Sequence, residues 1–127
     1  FASVKMNDLA NYLPARITGL LFVIGALFTF KDFKGSFAIM KRDKRKHDSP
    51  NHGYPEAAVA GALGIRLGGS GLYFGDILDK PVIGDNKRSA EIRDISNTIN
   101  IMYAAAILGL VGFGLLFFVI FVVLMFI

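Results

Sequence analysis

Residues 47–75 read HDSPNHGYPEAAVAGALGIRLGGSGLYFG, a polar and glycine-rich stretch between two strongly apolar segments. Seven of its residues are glycine, which lets a backbone come close to a ligand or to another backbone. An asparagine, two histidines, a glutamate and an arginine lie among them. We therefore expect this stretch to carry the chemistry of the protein, and the apolar segments on either side to hold it in place.

A run of small residues, PEAAVAGALGI, occupies the middle of the stretch and predicts a helix that begins at Pro55. Ala57 and Gly61, like Ala60 and Gly64, are four residues apart, the spacing that lets helix backbones approach closely in membrane proteins. The run is too short to span a bilayer, so it predicts a re-entrant or buried helix. Close packing explains this pattern whether or not the neighbouring loop is catalytic.

The two flanking apolar segments predict transmembrane helices at about residues 12–30 and 101–127. Residues 101–127 hold no charge, and these 27 residues make about 40 Å of helix, enough to cross about 30 Å of hydrocarbon. The clean apolar run at residues 17–30 makes only about 21 Å, so a span there must recruit residues 12–16. That places Arg16 at a membrane boundary, where its guanidinium snorkels to the headgroups or enters a polar site.

Together these segments predict an all-α integral membrane protein with a single membrane domain, residues 1–127. Its two transmembrane helices flank a cytoplasmic glycine-rich loop region, residues 31–100, which contains the short small-residue helix. The composition agrees, because 54% apolar residues and a mean hydropathy of +0.51 exceed the values of ordinary soluble domains. The chain has no cysteine, which excludes disulfides, a thiolate nucleophile and zinc–thiolate sites. Its first residues lack the features of a signal peptide, and we expect a fragment of a longer protein.

Basic residues set the expected side of the membrane for the loop region. Residues 31–46 hold seven basic and two acidic residues with interleaved Phe, Ile and Met, a pattern typical of an interfacial element. Residues 31–103 carry 12 Lys and Arg, whereas the opposite side keeps only Lys5, Arg16 and Asp8. The positive-inside rule then puts the loop in the cytoplasm of a multi-pass cell-membrane protein. The same rule explains the net charge of +4, so we expect no nucleic-acid partner.

The common nucleotide and hydrolase motifs are absent, since no P-loop, GxSxG, HExxH or EF-hand pattern occurs. The glycines within residues 68–71, beside an arginine, can present N–H groups to a phosphate or form a plain turn. His47 and His52 lie close to Asp48 and Glu56, which leaves a metal or general-base role open, although the spacing fits no standard zinc site. A carboxylate pair such as Asp48 and Glu56 suits Mg²⁺ beside a substrate phosphate.

Residues 42–76, RDKRKHDSPNHGYPEAAVAGALGIRLGGSGLYFGD, resemble a membrane family of cobalamin biosynthesis, the adenosylcobinamide-phosphate synthase or cobalamin biosynthesis B/D family. The matching pattern is Arg-Asp, His, Ser-Pro-Asn, Gly, Pro-Glu-Ala, a small-residue run, Leu-Gly-Gly and Tyr-x-Gly. Residues 7–18, NDLANYLPARIT, are similar to the family's Asp-Asp, Asn, Pro-Ala-Arg segment. Asn7 stands where an acidic residue is usual, and Tyr54 stands where tryptophan is expected. The resemblance covers nearly the whole chain and the C-terminal portion of the family's longer members.

The resemblance implies an ATP-dependent amide ligation in vitamin B12 biosynthesis. In this reaction the free propionate of adenosylcobyric acid is joined to the amine of 1-aminopropan-2-ol or of its phosphate. ATP and Mg²⁺ are the implied cofactors, and the corrinoid is a substrate. The implied partners are adenosylcobyric acid, aminopropanol or its phosphate, the lipid membrane, and the remaining N-terminal helices of the full protein.

Fitted to this reaction, the polar residues of the stretch and the residues around it fall into three groups. The candidate catalytic residues are His47 and His52, which would take the proton from the amine, and Asn51, which would orient a carbonyl or an amide. The candidate substrate- or phosphate-binding residues are Arg42, Ser49, Arg66, Gly68 and Gly69, and the candidate Mg²⁺ ligands are Asp43, Asp48 and Glu56. Each polar side chain has an alternative role, which is to brace the loop through hydrogen bonds.

Two other classes of function compete with the enzyme. A non-catalytic membrane regulator, sensor or scaffold of the same superfamily would have little reason to keep so many polar residues in the Ser-Pro-Asn and Leu-Gly-Gly motifs. A small transporter subunit is disfavoured, because the polar and glycine-rich residues lie outside the predicted span at residues 101–127 and do not interrupt it.

Overall fold

Four helices, a β-hairpin and a long final helix follow one another along the chain. A computed structural model describes residues 2–127, with residue 73 described through its backbone alone. The elements are α1 (Ala2–Ala10), α2 (Tyr12–Phe28), α3 (Phe33–Asp43), α4 (Gly53–Leu63), β1 (Leu67–Tyr73), β2 (Asp76–Ile83) and α5 (Arg93–Phe126).

The last helix is the candidate membrane span. Within residues 2–127, α5 is the one helix that is by itself long and apolar enough to cross a bilayer, with 34 residues and a mean hydropathy of 3.0 in its most apolar window. It begins at Arg93, eight residues before the predicted span, and ends at Phe126. Most of its side chains beyond Ala105 are exposed, as expected of a helix that faces lipid. The predicted span at residues 101–127 therefore lies within a helix of suitable length and composition.

The first predicted span, at residues 12–30, is only partly matched. The helix α2 starts at Tyr12, as the predicted span does, and holds Pro14 in its first turn, where a missing N–H is no loss. It has 17 residues, and it passes the length and hydropathy criteria only together with α1, as a pair bent by 41°. A straight second span stays a prediction.

The small-residue helix α4 lies in the core, as its pattern predicted. Ala57, Ala58 and Ala60 are fully buried. A Cβ added to Gly61 would collide with the carbonyl oxygen of Gly35 on α3, so the backbones of the two helices are in direct contact. Close packing is confirmed, and α4 begins two residues before the predicted Pro55, at Gly53.

Residues 67–83 correct the prediction of an all-α fold with a glycine-rich loop and a Gly-Gly turn. They form an antiparallel hairpin in which Leu67 pairs with Ile83 and residue 73 pairs with Asp76. The tight turn lies at Phe74 and Gly75, both with positive φ, the geometry of the two-residue turns that match strand twist. Glycine and proline are depleted in strands, so the glycines and the proline of residues 67–83 indicated a loop rather than a hairpin.

An ion pair joins the end of α4 to the start of α5. Arg88 binds the buried carboxylate of Asp94 through two nitrogens and donates from Nε to the carbonyl of Leu63 at 3.0 Å. Further along α5, Ile101 and Ala105 are buried against α2, where Gly25 would place a Cβ 3.0 Å from the carbonyl oxygen of Ile101. These contacts set α5 beside the packed helices.

Candidate functional site

A groove of about 630 Å³, here called the hairpin groove, separates the hairpin from the loop that leads into α4. One wall comes from the residues before and at the start of α4, and the other wall comes from the two strands. Its lining residues are His47, Asp48, Glu56, Leu67, Gly68, Gly69, Ser70, Gly71, Lys80, Pro81 and Ile83. The structure thus brings three predicted polar residues together with the two predicted glycines.

The strand wall of the hairpin groove is open because its glycines carry no side chains. Gly69 lies opposite Lys80, and Gly71 lies opposite Leu78 in the ladder. Directly opposed residues share one face of a sheet, so Lys80 rises beside a gap in the neighbouring strand. Gly68 has a φ of 83° and packs against the carbonyl of Pro81, where no side chain fits. The predicted Gly68–Gly69 element is therefore a strand surface with a positive-φ backbone, not a turn.

His47 is oriented by two contacts on opposite sides of its ring. Its Nδ1 accepts a hydrogen bond from the backbone N–H of Ser49 at 2.9 Å, and its Nε2 lies 3.5 Å from Oε1 of Glu56. The first contact assigns the proton of a neutral imidazole to Nε2. The N–H of His47 is then on the side of the ring that the carboxylate of Glu56 approaches. The ring of His52 meets His47 edge-on, with centroids 5.3 Å apart, but His52 does not line the groove.

Asn51 lies beneath the loop and not on the groove wall. Its side chain is buried, and its Nδ2 donates to the backbone carbonyl of Asp8 on α1 at 2.9 Å. Its Oδ1 is buried and has no hydrogen-bond partner among residues 2–127. An unsatisfied buried acceptor costs about 1–3 kcal/mol, so a donor that reached it would stabilise the protein. The structure gives Asn51 a role in attaching α1 to the loop, and its catalytic role stays a prediction.

Asp43 and Arg42 form an ion pair with each other and do not line the hairpin groove. The fully buried carboxylate of Asp43 accepts from Nε and a terminal nitrogen of Arg42, from the N–H of Gly84 and from the ammonium of Lys46. Arg42 also pairs with Asp85 at 2.8 Å. These donors, the Arg42 guanidinium first, hold the pKa of Asp43 far below its usual range in spite of the burial. The two residues fasten α3 to the base of the hairpin.

The three predicted Mg²⁺ ligands do not converge on one point. Among residues 2–127, no group of three or more histidine or carboxylate side chains is placed to hold a metal ion. Asp48 and Glu56 share the hairpin groove, whereas the oxygens of Asp43 are occupied by its own partners. Arg66 is exposed just before β1 and does not line the groove. Arg42 and Asp43 are neighbours in sequence, and the sequence analysis assigned them to separate ligands. In the structure their side chains form an ion pair with each other.

A second groove of about 330 Å³, here called the arginine groove, adjoins the first. It shares His47 and Asp48 with the hairpin groove, and its other lining residues are Arg16, Arg45, Pro50 and Tyr54. The sequence marked Arg16 as a boundary residue, but its neighbours in this groove come from distant segments. Lys80, Ser70 and Arg45 were also missed as site residues. The only signal for these three residues in the sequence is that their side chains are polar or basic, because none of them stands at a named position of the matching pattern.

The structure defines a mainly helical protein with two polar grooves around the loop before α4 and one helix, α5, that is a candidate membrane span. A family model described as "CobD/Cbib protein" matches residues 1–102, and the chain belongs to this family. The family predicted from the motifs is thereby confirmed. No solved structure matches the chain.

Several relatives carry the name cobalamin biosynthesis protein CobD. The protein of Clostridium perfringens is 50% identical over 111 residues, which are 87% of this chain and 35% of that protein. The protein of Streptococcus sanguinis is 44% identical over 117 residues, 92% of this chain and 37% of that protein. The protein of Photorhabdus laumondii is 47% identical over 116 residues, 91% of this chain and 36% of that protein. The chain spans little more than a third of these relatives, and the family supports a role in cobalamin biosynthesis.

Proposed function

We propose that the complete protein joins adenosylcobyric acid to 1-aminopropan-2-ol, or to its phosphate, in an ATP-dependent amide ligation. The observation that carries the proposal is the hairpin groove, where His47, Asp48 and Glu56 face a strand surface cleared by glycines. A ligase of this kind needs a proton acceptor and charged groups for phosphate in one place. The family relationship supports a role in cobalamin biosynthesis, and the groove contains the acidic, basic and imidazole side chains that such a reaction needs.

The reaction forms a C–N bond and breaks a C–O bond of the propionate. The propionate first takes the terminal phosphoryl group of ATP, which breaks the bond from that phosphorus to the bridging oxygen and releases ADP. When the amine attacks, the carboxylate oxygen departs with this group as inorganic phosphate, and the neutral amine loses one proton. We assign that proton to Glu56, whose Oε1 lies 3.5 Å from Nε2 of His47, because Nδ1 of His47 already accepts from the N–H of Ser49. Ser49 acts through His47, since its backbone N–H fixes the ring.

The residues of the groove fit Mg²⁺ as a companion of phosphate. Mg²⁺ is usually held by one or two carboxylates together with substrate phosphates and water, and it would neutralise phosphate charge. Asp48 is the carboxylate that lines both grooves, so it is the residue we assign to this ion. Lys80, on the opposite wall, adds positive charge for the same phosphates.

The proposal also places the protein in the cell membrane. The helix α5 would span it, residues 31–100 would face the cytoplasm, and the lipid and the further helices of the complete protein would be its partners. The exposed apolar surface of α5 supports this placement. A groove open to the cytoplasm suits a large corrinoid better than a closed pocket would.

The test uses the complete protein in membranes, supplied with ATP, Mg²⁺, adenosylcobyric acid and either form of aminopropanol. We expect amide product with the wild type, and a loss of roughly 100-fold or more in kcat for Glu56→Gln, because general-base groups contribute that much. Asp76→Asn, which removes a carboxylate at the hairpin turn outside both grooves, is the matched control and should keep its rate. Absence of product with the wild type would favour the regulator, sensor or scaffold.

A further inference from the structure

The arginines of the chain differ in how their charge is balanced. Arg42 is neutralised by Asp43 and Asp85, and Arg88 is neutralised by Asp94. Within residues 2–127, no carboxylate forms an ion pair with Arg16. Arg16 is nevertheless half-buried, so its position is not that of a freely solvated side chain.

Two tyrosine rings hold the guanidinium of Arg16. Its Cζ lies 3.3 Å from the ring centroid of Tyr12 and 4.7 Å from that of Tyr54. Cation–π contacts of this kind attract the positive charge without neutralising it. One terminal nitrogen donates to the carbonyl of Tyr12 at 2.6 Å. A guanidinium has five N–H donors, so most of them are left for another group.

The positive charge of Arg16, which has no carboxylate partner among residues 2–127, lies on the wall of the arginine groove. Arg16 and Arg45 both line the arginine groove, against Asp48 as its one lining carboxylate, so its lining is positively charged. His47 and Asp48 lie on the boundary with the hairpin groove. A group bound at Arg16 therefore lies next to the proposed reaction centre. Planar guanidinium groups match phosphate oxygens in geometry as well as in charge.

We propose that Arg16 and Arg45 form a phosphate subsite, with Tyr12 and Tyr54 as positioning residues that hold the Arg16 guanidinium. The inference rests on the proposed ligase function and deepens it, because it assigns a substrate group to the arginine groove. The ligand is a phosphate group, supplied either by the phosphorylated aminoalcohol or by the nucleotide. The sequence motifs had directed phosphate to Arg42 and Arg66, which the structure places elsewhere.

The test measures KM values with the complete protein in liposomes of zwitterionic lipid. Arg16→Gln should raise the KM for the phosphate-bearing substrate roughly 10- to 100-fold, since hydrogen bonds to charged groups contribute about that much. Arg16→Lys, which keeps the charge but loses the planar fork, should recover part of the loss. Arg93→Gln removes an exposed arginine outside both grooves and serves as the control. Gel-filtration profiles in detergent verify that each variant is folded.

The pattern of KM values identifies the ligand. A rise for aminopropanol phosphate, with no change for unphosphorylated aminopropanol or ATP, assigns the subsite to the phosphorylated amine. A rise for ATP alone assigns it to the nucleotide. Unchanged values for both would overturn the subsite. A defect that appears with anionic lipid but not with zwitterionic lipid would also overturn it, because Arg16 would then be a membrane-headgroup anchor.

A direct binding measurement separates this inference from the proposed function. If the wild type gives no ligation, that function is refuted, and titration calorimetry with inorganic pyrophosphate decides on the subsite. A Kd that rises at least tenfold in Arg16→Gln, but not in Arg93→Gln, supports the phosphate subsite. Equal Kd values in the wild type and Arg16→Gln would refute it.

Discussion

The helix pair α3–α4 and the hairpin β1–β2 use glycine for opposite purposes. In the helix pair, Gly35 and Gly61 let one backbone touch another, and the surrounding alanines are buried. In the hairpin, an added Cβ at Gly69 would meet, among the described side chains, only a methyl group of Val82 at 4.0 Å, and Gly69 borders an open groove. The first region gains stability from a missing side chain, and the second gains room for a ligand. Substitution of a glycine in each region separates the two uses, and a third substitution tests the ion pair that joins the regions.

The largest effect is expected for Gly61→Ala. Alanine is favoured over glycine in a helix by about 1 kcal/mol, but the new Cβ would collide with the rigid carbonyl of Gly35. Overpacking typically costs about 1–3 kcal/mol and occasionally more. Because the new Cβ meets backbone atoms on the facing helix, which cannot move aside, we expect a cost above that range and a net loss of more than about 2 kcal/mol after the helix preference. We expect a clear fall in Tm of the protein in detergent.

The matched control for Gly61 is Gly112→Ala in α5, where no described residue outside the neighbouring helix turns lies within 4 Å of an added Cβ. Its Tm should be unchanged or slightly higher, because only the helix preference acts there. Equal effects of the two substitutions would contradict the view that α4 depends on backbone contact.

A smaller effect is expected for Asp43→Asn, which breaks the joint between the two regions. Its carboxylate binds Arg42 and Lys46 and also accepts from Gly84 at the base of the hairpin, at 2.8 Å. Arg42 and Lys46 are about half exposed, so water can solvate them after the change, and we expect a cost of about 2 kcal/mol. Unfolding of the wild type and the variant in detergent measures this difference.

The pH dependence of that difference tests the ion pair itself. The folded-state pKa of Asp43 is depressed, so its contribution is present above its unfolded pKa of about 3.9 and is lost as pH falls toward the folded value. The gap in stability between wild type and Asp43→Asn should therefore be constant near neutral pH and shrink below about pH 4. A gap that stays constant through acid pH would assign the cost to packing.

The helical region followed from the sequence because its signals are local. Spacing of four residues between Ala57 and Gly61 predicted the packed face of α4, and the uncharged residues 101–127 predicted most of α5. Both patterns act within one helix, and the tertiary contacts agree with them.

The hairpin and the contacts between elements could not be predicted from the sequence. The residues that form them are either far apart in the chain or of types that also occur in loops. Strand β1 holds three glycines and β2 holds Pro81, which read as loop until the cross-strand partners are known. Asp43 meets Gly84 across 41 residues, and Arg16 meets Tyr54 from another helix. Single-sequence patterns carry no information on such pairs, so a predicted metal ligand proved to be the carboxylate of a structural ion-pair network.

Among the destabilising substitutions, the smallest loss of stability is expected for Gly69→Ala, which sharpens the contrast with Gly61. Gly69 has a φ of 90°, so a Cβ is strained by the backbone by about 1–2 kcal/mol, but it meets no neighbour closer than ordinary contact. The fall in Tm should therefore be smaller than for Gly61→Ala. Because the methyl group narrows the groove, the ligation rate should fall by more than the loss of folded protein explains. Rates measured well below the Tm of the variant provide the comparison, and a rate equal to that of the wild type would show that the glycine is kept for its backbone conformation and not for space.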